Sequence, residues 1–150
     1  MKAKVTWIVI ADGNQAKVFE HDGPGKGLRA LKDLNFEQEP LKAQEIMADK
    51  PGRSFSSAGP GARSSIEYSS DPVQVRERRF VERLADMLDE MLQQGKFDRL
   101  VIAAAPAALG DLRPALSDKV KETILAEMPK DLTNVPTQKL GRHFEDVIAV

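Results

Sequence analysis

The strongest constraint on the fold comes from two short apolar runs that are far apart in the chain. Residues 5–11 and residues 100–105 are almost wholly apolar, and the first run is rich in β-branched side chains. Runs of this length without polar alternation are typical of strands covered on both faces of a sheet. A long helical pattern precedes the second run, and a strand that follows a helix is usually parallel to an earlier strand. We therefore predict two parallel central strands.

The segments after the first strand predict an antiparallel meander. Residues 12–14 read Asp-Gly-Asn, a hairpin turn signal, and residues 16–20 then alternate as a returning strand. A glycine-rich turn at residues 22–27 leads to a third predicted strand at residues 28–36. Leu31 and Lys32 break the alternation of this strand.

The clearest helix is predicted to begin at Pro72. Asp71 is a favourable N-cap, Gln74 has the spacing of a capping box, and Gly95 fits the position just after the last turn. Apolar residues then recur on one face of the helix, namely Phe80, Leu84, Leu88 and Met91.

The remaining elements complete an α/β fold. Short helices are predicted at residues 40–49, at 109–116 with an interruption at Pro114, and at 136–144. Residues 122–128 fit a helix or a strand, and we favour a strand at 123–128 because Pro129 follows directly. The prediction is a mixed sheet of about five strands, an antiparallel meander plus parallel strands, with helices packed against it.

Composition excludes several classes of function. The chain has 150 residues, which fits one domain over residues 1–150, and it has no cysteine for a disulfide, a thiolate metal site or a cysteine nucleophile. A net charge of −1 gives no overall attraction to nucleic acid or to a membrane surface. The N-terminal apolar run lacks the features of a signal peptide, and no run is long enough for a membrane helix. We expect a cytoplasmic protein without a membrane partner.

The common catalytic motifs are missing from the sequence. His21 and His143 lack metal-ligand spacing, and the glycine-rich residues 23–27 join two predicted strands instead of opening a helix. Asp12 follows a central strand, a position where sites often occur, but an aspartate before glycine more often forms a turn. No cofactor or metal is predicted.

The long loop at residues 50–70 carries the strongest functional signal. It is rich in glycine, serine and arginine, and loops of this length are usually functional or disordered. Arginine binds phosphate, glycine permits close backbone approach, and Phe55 and Tyr68 could stack on bases. The alternative is a solvated excursion, with Arg76, Arg78 and Arg79 on an exposed helix face. The candidate binding residues are Arg53, Ser54, Phe55, Gly59, Gly61, Arg63, Arg76, Arg79 and Asp12.

Four segments together resemble the bacterial host attachment protein family. They are WIVIADG at residues 7–13, AKVF at 16–19, GRSF at 52–55 and PKDLT at 129–133. The family is named for a phenotype, the attachment of bacteria to host cells, which does not specify a molecular activity.

That family is in turn similar to the middle domain of archaeal and eukaryotic peptide-chain release factors, a ribonuclease-H-like fold. In release factors a strand meander leads to a long loop with a Gly-Gly-Gln tip, which enters the peptidyl-transferase centre, and then to a long helix. Here the corresponding residues 59–65 read GPGARSS, so Pro60 separates the glycines and no glutamine follows. The resemblance implies a role facing the ribosome or RNA more than it implies hydrolysis.

The sequence thus favours a binding module over an enzyme. The leading hypothesis is a binding module in which the loop at residues 50–70 contacts RNA or the ribosome. The alternatives are a metal- or water-dependent hydrolase that uses Asp12 or the loop, and a protein-interaction factor that acts indirectly on surface attachment.

Overall fold

The structure is a computed structural model that describes residues 4–40 and 71–148. These residues form a six-stranded mixed sheet. Its strands are β1 (Thr6–Ala11), β2 (Gln15–His21), β3 (Arg29–Ala30), β4 (Phe36–Glu37), β5 (Arg99–Ala104) and β6 (Ile124–Met128). The order across the sheet is β3-β2-β1-β5-β6, and β4 also pairs with β2. β1 is antiparallel to β2 and parallel to β5, as the sequence predicts.

Helices cover the sheet, which confirms the predicted α/β class. In the described residues they are α1 (Pro72–Gln93), α2 (Pro106–Ala115), α3 (Asp118–Thr123) and α4 (Thr137–Leu140), with 3-10 turns at Lys32–Leu34 and Gly141–Phe144. The likeness to ribonuclease H and to release factors stays a prediction. The helix predicted at residues 40–49 and the loop predicted at 50–70 fall outside the described residues, apart from Pro40.

The sheet has an apolar core on each face because the side chains of a strand alternate between its two faces. All six residues of β1 are buried. Trp7 and Val9 belong to the core formed with α1, α2 and α3. Ile8 and Ile10 belong to the opposite core, where the chain after β6 contributes Leu132, Leu140 and Phe144. Burial on both faces explains why this run lacks polar alternation.

Helix α1 begins and ends where its sequence signals predict. The Asp71 carboxylate accepts hydrogen bonds from the backbone N–H groups of Val73 (2.9 Å) and Gln74 (3.3 Å). Gly95 follows the helix with a φ of +75°, a conformation that side-chain-bearing residues rarely adopt. The predicted apolar face is buried at Phe80, Leu84 and Leu88.

The third predicted strand is wrong in part, because the structure divides residues 28–36. β3 and β4 both pair with β2, but a 3-10 turn at Lys32–Leu34 separates them. The turn removes a backbone partner from β2, and the Asn35 side-chain oxygen replaces it by accepting from the N–H of Val18 at 3.0 Å. The break in alternation at Leu31 and Lys32 marks this interruption.

The C-terminal half agrees with the prediction except in its short helices. Strand β6 confirms the choice of strand over helix, and it is parallel to β5. Helix α2 begins at Pro106, three residues before the predicted start, and it continues past Pro114 to Ala115. Helix α3 was not predicted. Ser117 is its N-cap, and Val120 is its one buried side chain. A six-residue helix with a single buried side chain has no apolar periodicity from which it could be predicted.

Candidate functional site

The structure describes three of the nine predicted binding residues. Asp12, Arg76 and Arg79 lie in the described part of the chain. The other six lie outside the described residues and stay predictions, namely Arg53, Ser54, Phe55, Gly59, Gly61 and Arg63.

Asp12 lies at the carboxyl end of β1 and shapes the turn into β2. Its Oδ1 atom accepts hydrogen bonds from the backbone N–H groups of Asn14 (2.7 Å) and Gln15 (2.8 Å). The Asp12 N–H in turn donates to the Gln15 carbonyl at 2.9 Å. An aspartate that accepts from the backbone two and three residues later is a common turn-forming device. One Asp12 oxygen is therefore committed to backbone structure.

The second Asp12 oxygen belongs to a polar group that we call the Asp12 cluster, formed by Asp12, Gln15, Lys17, Asp131 and Thr133. Asp12 Oδ2 lies 3.3 Å from Gln15 Nε2 and 3.4 Å from the hydroxyl of Thr133. The same hydroxyl makes a short hydrogen bond to Asp131 Oδ1. Lys17 Nζ donates to the Thr133 carbonyl at 2.7 Å. The cluster joins the carboxyl end of β1 to the chain that follows β6.

Thr133 is the centre of this cluster. It is fully buried, although Asp131, two residues earlier, is exposed. A hydroxyl donates one proton, so it can bond fully to only one of the two neighbouring carboxylates. The shorter contact, to Asp131, takes that proton, and the 3.4 Å contact to Asp12 is the weaker one. Within residues 4–40 and 71–148, no three acidic, histidine or cysteine side chains are grouped so as to hold a metal ion.

A second set of contacts surrounds the same turn, and we call it the turn junction: Gly13, Asn14, Gln38 and Glu77. The Gln38 N–H donates to the Asn14 carbonyl at 2.8 Å. Gln38 Nε2 lies 3.3 Å from both the Gly13 carbonyl and Asn14 Oδ1. Asn14 Nδ2 donates to Glu77 Oε2 on α1 at 3.2 Å. The turn thus contacts the chain just before residue 41 and the helix that begins just after residue 70.

The arginines at the start of α1 have separate roles. Arg76 is half-buried, and its guanidinium donates to the Glu39 carbonyl at 3.2 Å. Arg78 forms an exposed ion pair with Glu82 at 4.0 Å, as the interpretation of a solvated helix face predicts. Arg79 is exposed. Arg76 therefore joins α1 to Glu39, two residues after β4, whereas the charge of Arg79 is exposed to solvent.

A shallow cleft of about 230 Å³ adjoins the Asp12 cluster. Its lining residues come from β2 and from the chain around β4, namely Gln15, Ala16, Lys17, Asn35, Phe36 and Glu37. Gln15 and Lys17 belong both to the cleft and to the cluster. The cleft therefore brings an ammonium group, a carboxylate and two amides to one surface beside the carboxyl end of β1.

Most of the residues that organise this end of the sheet are not among the predicted site residues. Lys17 was predicted as a strand residue, and Gln38 and Glu77 were not predicted as residues of a site. Their partners are distant in sequence: Lys17 contacts Thr133, and Asn14 contacts Glu77. The resemblance motifs contain several of these residues, since residues 7–13 include Asp12 and Gly13, residues 16–19 include Lys17, and residues 129–133 include Asp131 and Thr133. None of the motifs indicates that these residues contact one another.

In the described part of the chain no helix has both the length and the apolar character needed to cross a membrane.

Comparisons with known proteins identify the family. A search of the curated proteins finds no match. A family model described as "Protein required for attachment to host cells" matches residues 7–144, which include all of β1 except Thr6, the whole segment 41–70 and the Asp12 cluster. The chain belongs to this host attachment family.

Proposed function

We propose that this host attachment family protein is a cytoplasmic binding module for RNA, acting on the ribosome, and that the segment 50–70 forms its main contact. The observation that carries the proposal is that described residues on either side of the segment 41–70 meet at one place. Gln38 contacts the β1–β2 turn from the upstream side, and Glu77 contacts it from the downstream side. The described residues that flank the segment therefore lie at the carboxyl end of a central strand, where ligands bind in many α/β sheets.

The composition of the segment suits an RNA backbone. Arg53 and Arg63 supply planar guanidinium groups for phosphate oxygens, and the amides at Gly59 and Gly61 can add hydrogen bonds. Phe55 offers a ring on which a base can stack, with Ser54 beside it as a hydroxyl donor. The exposed Arg79 adds a positive charge on α1, and the half-buried Arg76 joins α1 to Glu39, which precedes the segment.

The order of elements supports the likeness to the release-factor middle domain. Antiparallel strands β1 to β4 come before the segment, and the 22-residue helix α1 follows it directly. The sequence GPGARSS at residues 59–65 lacks the glutamine of the release-factor tip, so the proposal is binding without peptidyl-tRNA hydrolysis.

Co-sedimentation with ribosomes at moderate salt tests the proposal. We expect the wild-type chain to pellet with ribosomes and the double variant Arg53→Ala/Arg63→Ala to remain largely in the supernatant. A matched control is Arg99→Ala/Arg142→Ala, which removes the same charge from two exposed arginines outside the segment. Equal pelleting of wild type and the segment variant would contradict the proposal, and equal loss in both variants would reduce it to an effect of net charge.

The description of the family favours one second candidate, a protein-interaction factor that influences surface attachment indirectly. An affinity capture with the wild-type chain and the Arg53→Ala/Arg63→Ala variant distinguishes the two. A protein partner retained after ribonuclease treatment favours the interaction factor, whereas loss of the captured material after that treatment favours RNA binding.

The hydrolase alternative gains nothing from the geometry of Asp12. One of its oxygens is bonded to two backbone N–H groups, and the other faces Gln15 and Thr133. This is the pattern of a residue that fixes a turn, and it leaves the segment 50–70 as the basis of the proposal.

A further inference from the structure

We infer that Gly13, Asn14 and Glu77 are positioning residues that fix the two chain ends flanking the segment 41–70 to each other. The inference rests on the proposed function where it concerns binding, and on the described contacts alone where it concerns position. Gly13 lies in the turn signal at residues 12–14 and in the motif at 7–13, but neither pattern indicates a contact with α1, and Glu77 lies outside every motif.

Gly13 is glycine because of space and not because of its backbone conformation. Its φ is not in the left-handed region, unlike those of Gly23, Gly25, Gly27 and Gly95. A Cβ atom at Gly13 would lie 2.7 Å from Glu77 Cδ and 2.8 Å from both Glu77 Cβ and Cγ. Glu77 Cβ is fixed to the helix backbone, so the far end of the side chain cannot relieve the contact alone. Any side chain at Gly13 would push α1 away from the turn.

Asn14 joins the two chain ends through both sides of its amide. The amide oxygen accepts from Gln38 Nε2 at 3.3 Å, and the amide nitrogen donates to Glu77 Oε2 at 3.2 Å. The Asn14 carbonyl also accepts the Gln38 N–H at 2.8 Å. The Asn14 side chain therefore links residue 38 to residue 77. A carboxylate at position 14 would put an acceptor where the Glu77 carboxylate needs an N–H donor.

Contacts between the two ends reinforce this link. Arg76 donates to the Glu39 carbonyl at 3.2 Å, and an Arg83 guanidinium nitrogen lies 3.3 Å from Gln38 Oε1. The first turns of α1 thus contact residues 38 and 39 both directly and through the β1–β2 turn. Removal of the turn contacts should loosen residue 38 without removing the apolar face of α1.

Amide hydrogen exchange of the ligand-free protein tests the positional role. In Gly13→Ala and Asn14→Asp we expect the Gln38 N–H, which donates to the Asn14 carbonyl, to exchange about tenfold faster or more. Both variants disrupt the hydrogen bond from Asn14 Nδ2 to the Glu77 carboxylate, and a hydrogen bond to a charged group contributes about that factor. The matched control is Gly110→Ala, where an added Cβ meets no atom within 4 Å. That control should keep the wild-type exchange rate at Gln38.

A double variant separates positioning from general damage. In Asn14→Asp/Glu77→Gln the new amide can donate to the new carboxylate, so exchange at Gln38 should return most of the way to the wild-type rate. If Gly13→Ala does not fold, Glu77→Ala replaces it as the test variant, and it should also raise the exchange rate of the Gln38 N–H. Wild-type exchange at Gln38 in both Asn14→Asp and Glu77→Ala would overturn the inference.

Ribosome co-sedimentation of the same variants separates this inference from the proposed function. Faster exchange at Gln38 together with weaker co-sedimentation supports both. Faster exchange with wild-type co-sedimentation supports the positional role and shows that ribosome binding does not depend on it, whereas loss of binding in Arg53→Ala/Arg63→Ala alone supports the proposed function without the positional role.

Discussion

The two ends of β1 differ in whether the polar side chains around them have hydrogen-bond partners. At the amino end Trp7 stacks on Phe97 with ring centroids 4.8 Å apart, and the described residues offer no hydrogen-bond partner to the buried Thr6 Oγ1, Trp7 Nε1 and His21 Nε2. At the carboxyl end, Asp12 and Asn14 bond to residues from three distant segments. The amino end is held mainly by apolar packing, whereas the carboxyl end is held by oriented hydrogen bonds. We assign stability to the first end and partner contact to the second.

The largest expected effect comes from the amino end. Phe97 is 1% exposed and packs against Trp7, so Phe97→Ala should lower the free energy of unfolding by about 3–5 kcal/mol. Urea denaturation measures this loss. Ribosome co-sedimentation, performed at a temperature where the variant remains folded, should match wild type. Weaker co-sedimentation of the folded variant would break the division between the two ends.

A pair of buried threonines sharpens the comparison. Thr133 is fully buried and its hydroxyl bonds to a carboxylate, so Thr133→Val should lower the free energy of unfolding by about 1.5–3 kcal/mol. Thr6 is 1% exposed and its hydroxyl has no partner in the described part of the chain, so Thr6→Val should leave stability unchanged or raise it.

Thermal and urea unfolding of the two valine variants provide the measurement, since both changes replace a hydroxyl by a methyl group of similar size. Equal losses in the two variants would show that hydrogen bonding at the carboxyl end contributes no more than the unpartnered hydroxyl at the amino end.

The smallest effect is expected at the cap of α1. Asp71→Ala removes the acceptor for two backbone N–H groups and should cost about 1 kcal/mol, while Asp71→Asn should retain most of the stability. Chemical denaturation of the two variants measures the difference. A loss as large as that of Phe97→Ala would mean that the start of α1 is coupled to the core and not only to the turn.

Local patterns in the sequence were sufficient for the regular elements. Helix α1 was predicted because Asp71, Gly95 and a helical apolar period all agree, and β1 was predicted because burial on both faces leaves a continuous apolar run. The prediction of a third strand at residues 28–36 was wrong in part. A 3-10 turn interrupts it there, and the side chain of Asn35 replaces a backbone hydrogen-bond partner of β2, which no alternation pattern encodes.

The site was less predictable because its contacts join residues that are distant in the chain. The Asp12–Thr133 and Asn14–Glu77 pairs form only once the sheet and α1 are in place. The sequence favours a turn-forming role for Asp12, and the hydrogen bonds from the backbone N–H groups of Asn14 and Gln15 confirm it, whereas the contact with Thr133 has no local signal. The predicted contacts of Arg53, Arg63 and the other segment residues lie outside the described residues and stay predictions.

The most direct test of the central claim is the salt dependence of RNA binding by the segment 50–70. Titration of wild type and Arg53→Ala/Arg63→Ala with ribosomal RNA over a range of salt concentrations gives the slope of log K against log salt. If both arginines neutralise phosphates, the variant should lose about 1.4–1.8 from the magnitude of that slope, whereas Arg99→Ala/Arg142→Ala should keep the wild-type slope. A wild-type slope in the segment variant, or no measurable RNA binding by the wild-type chain, would contradict the account.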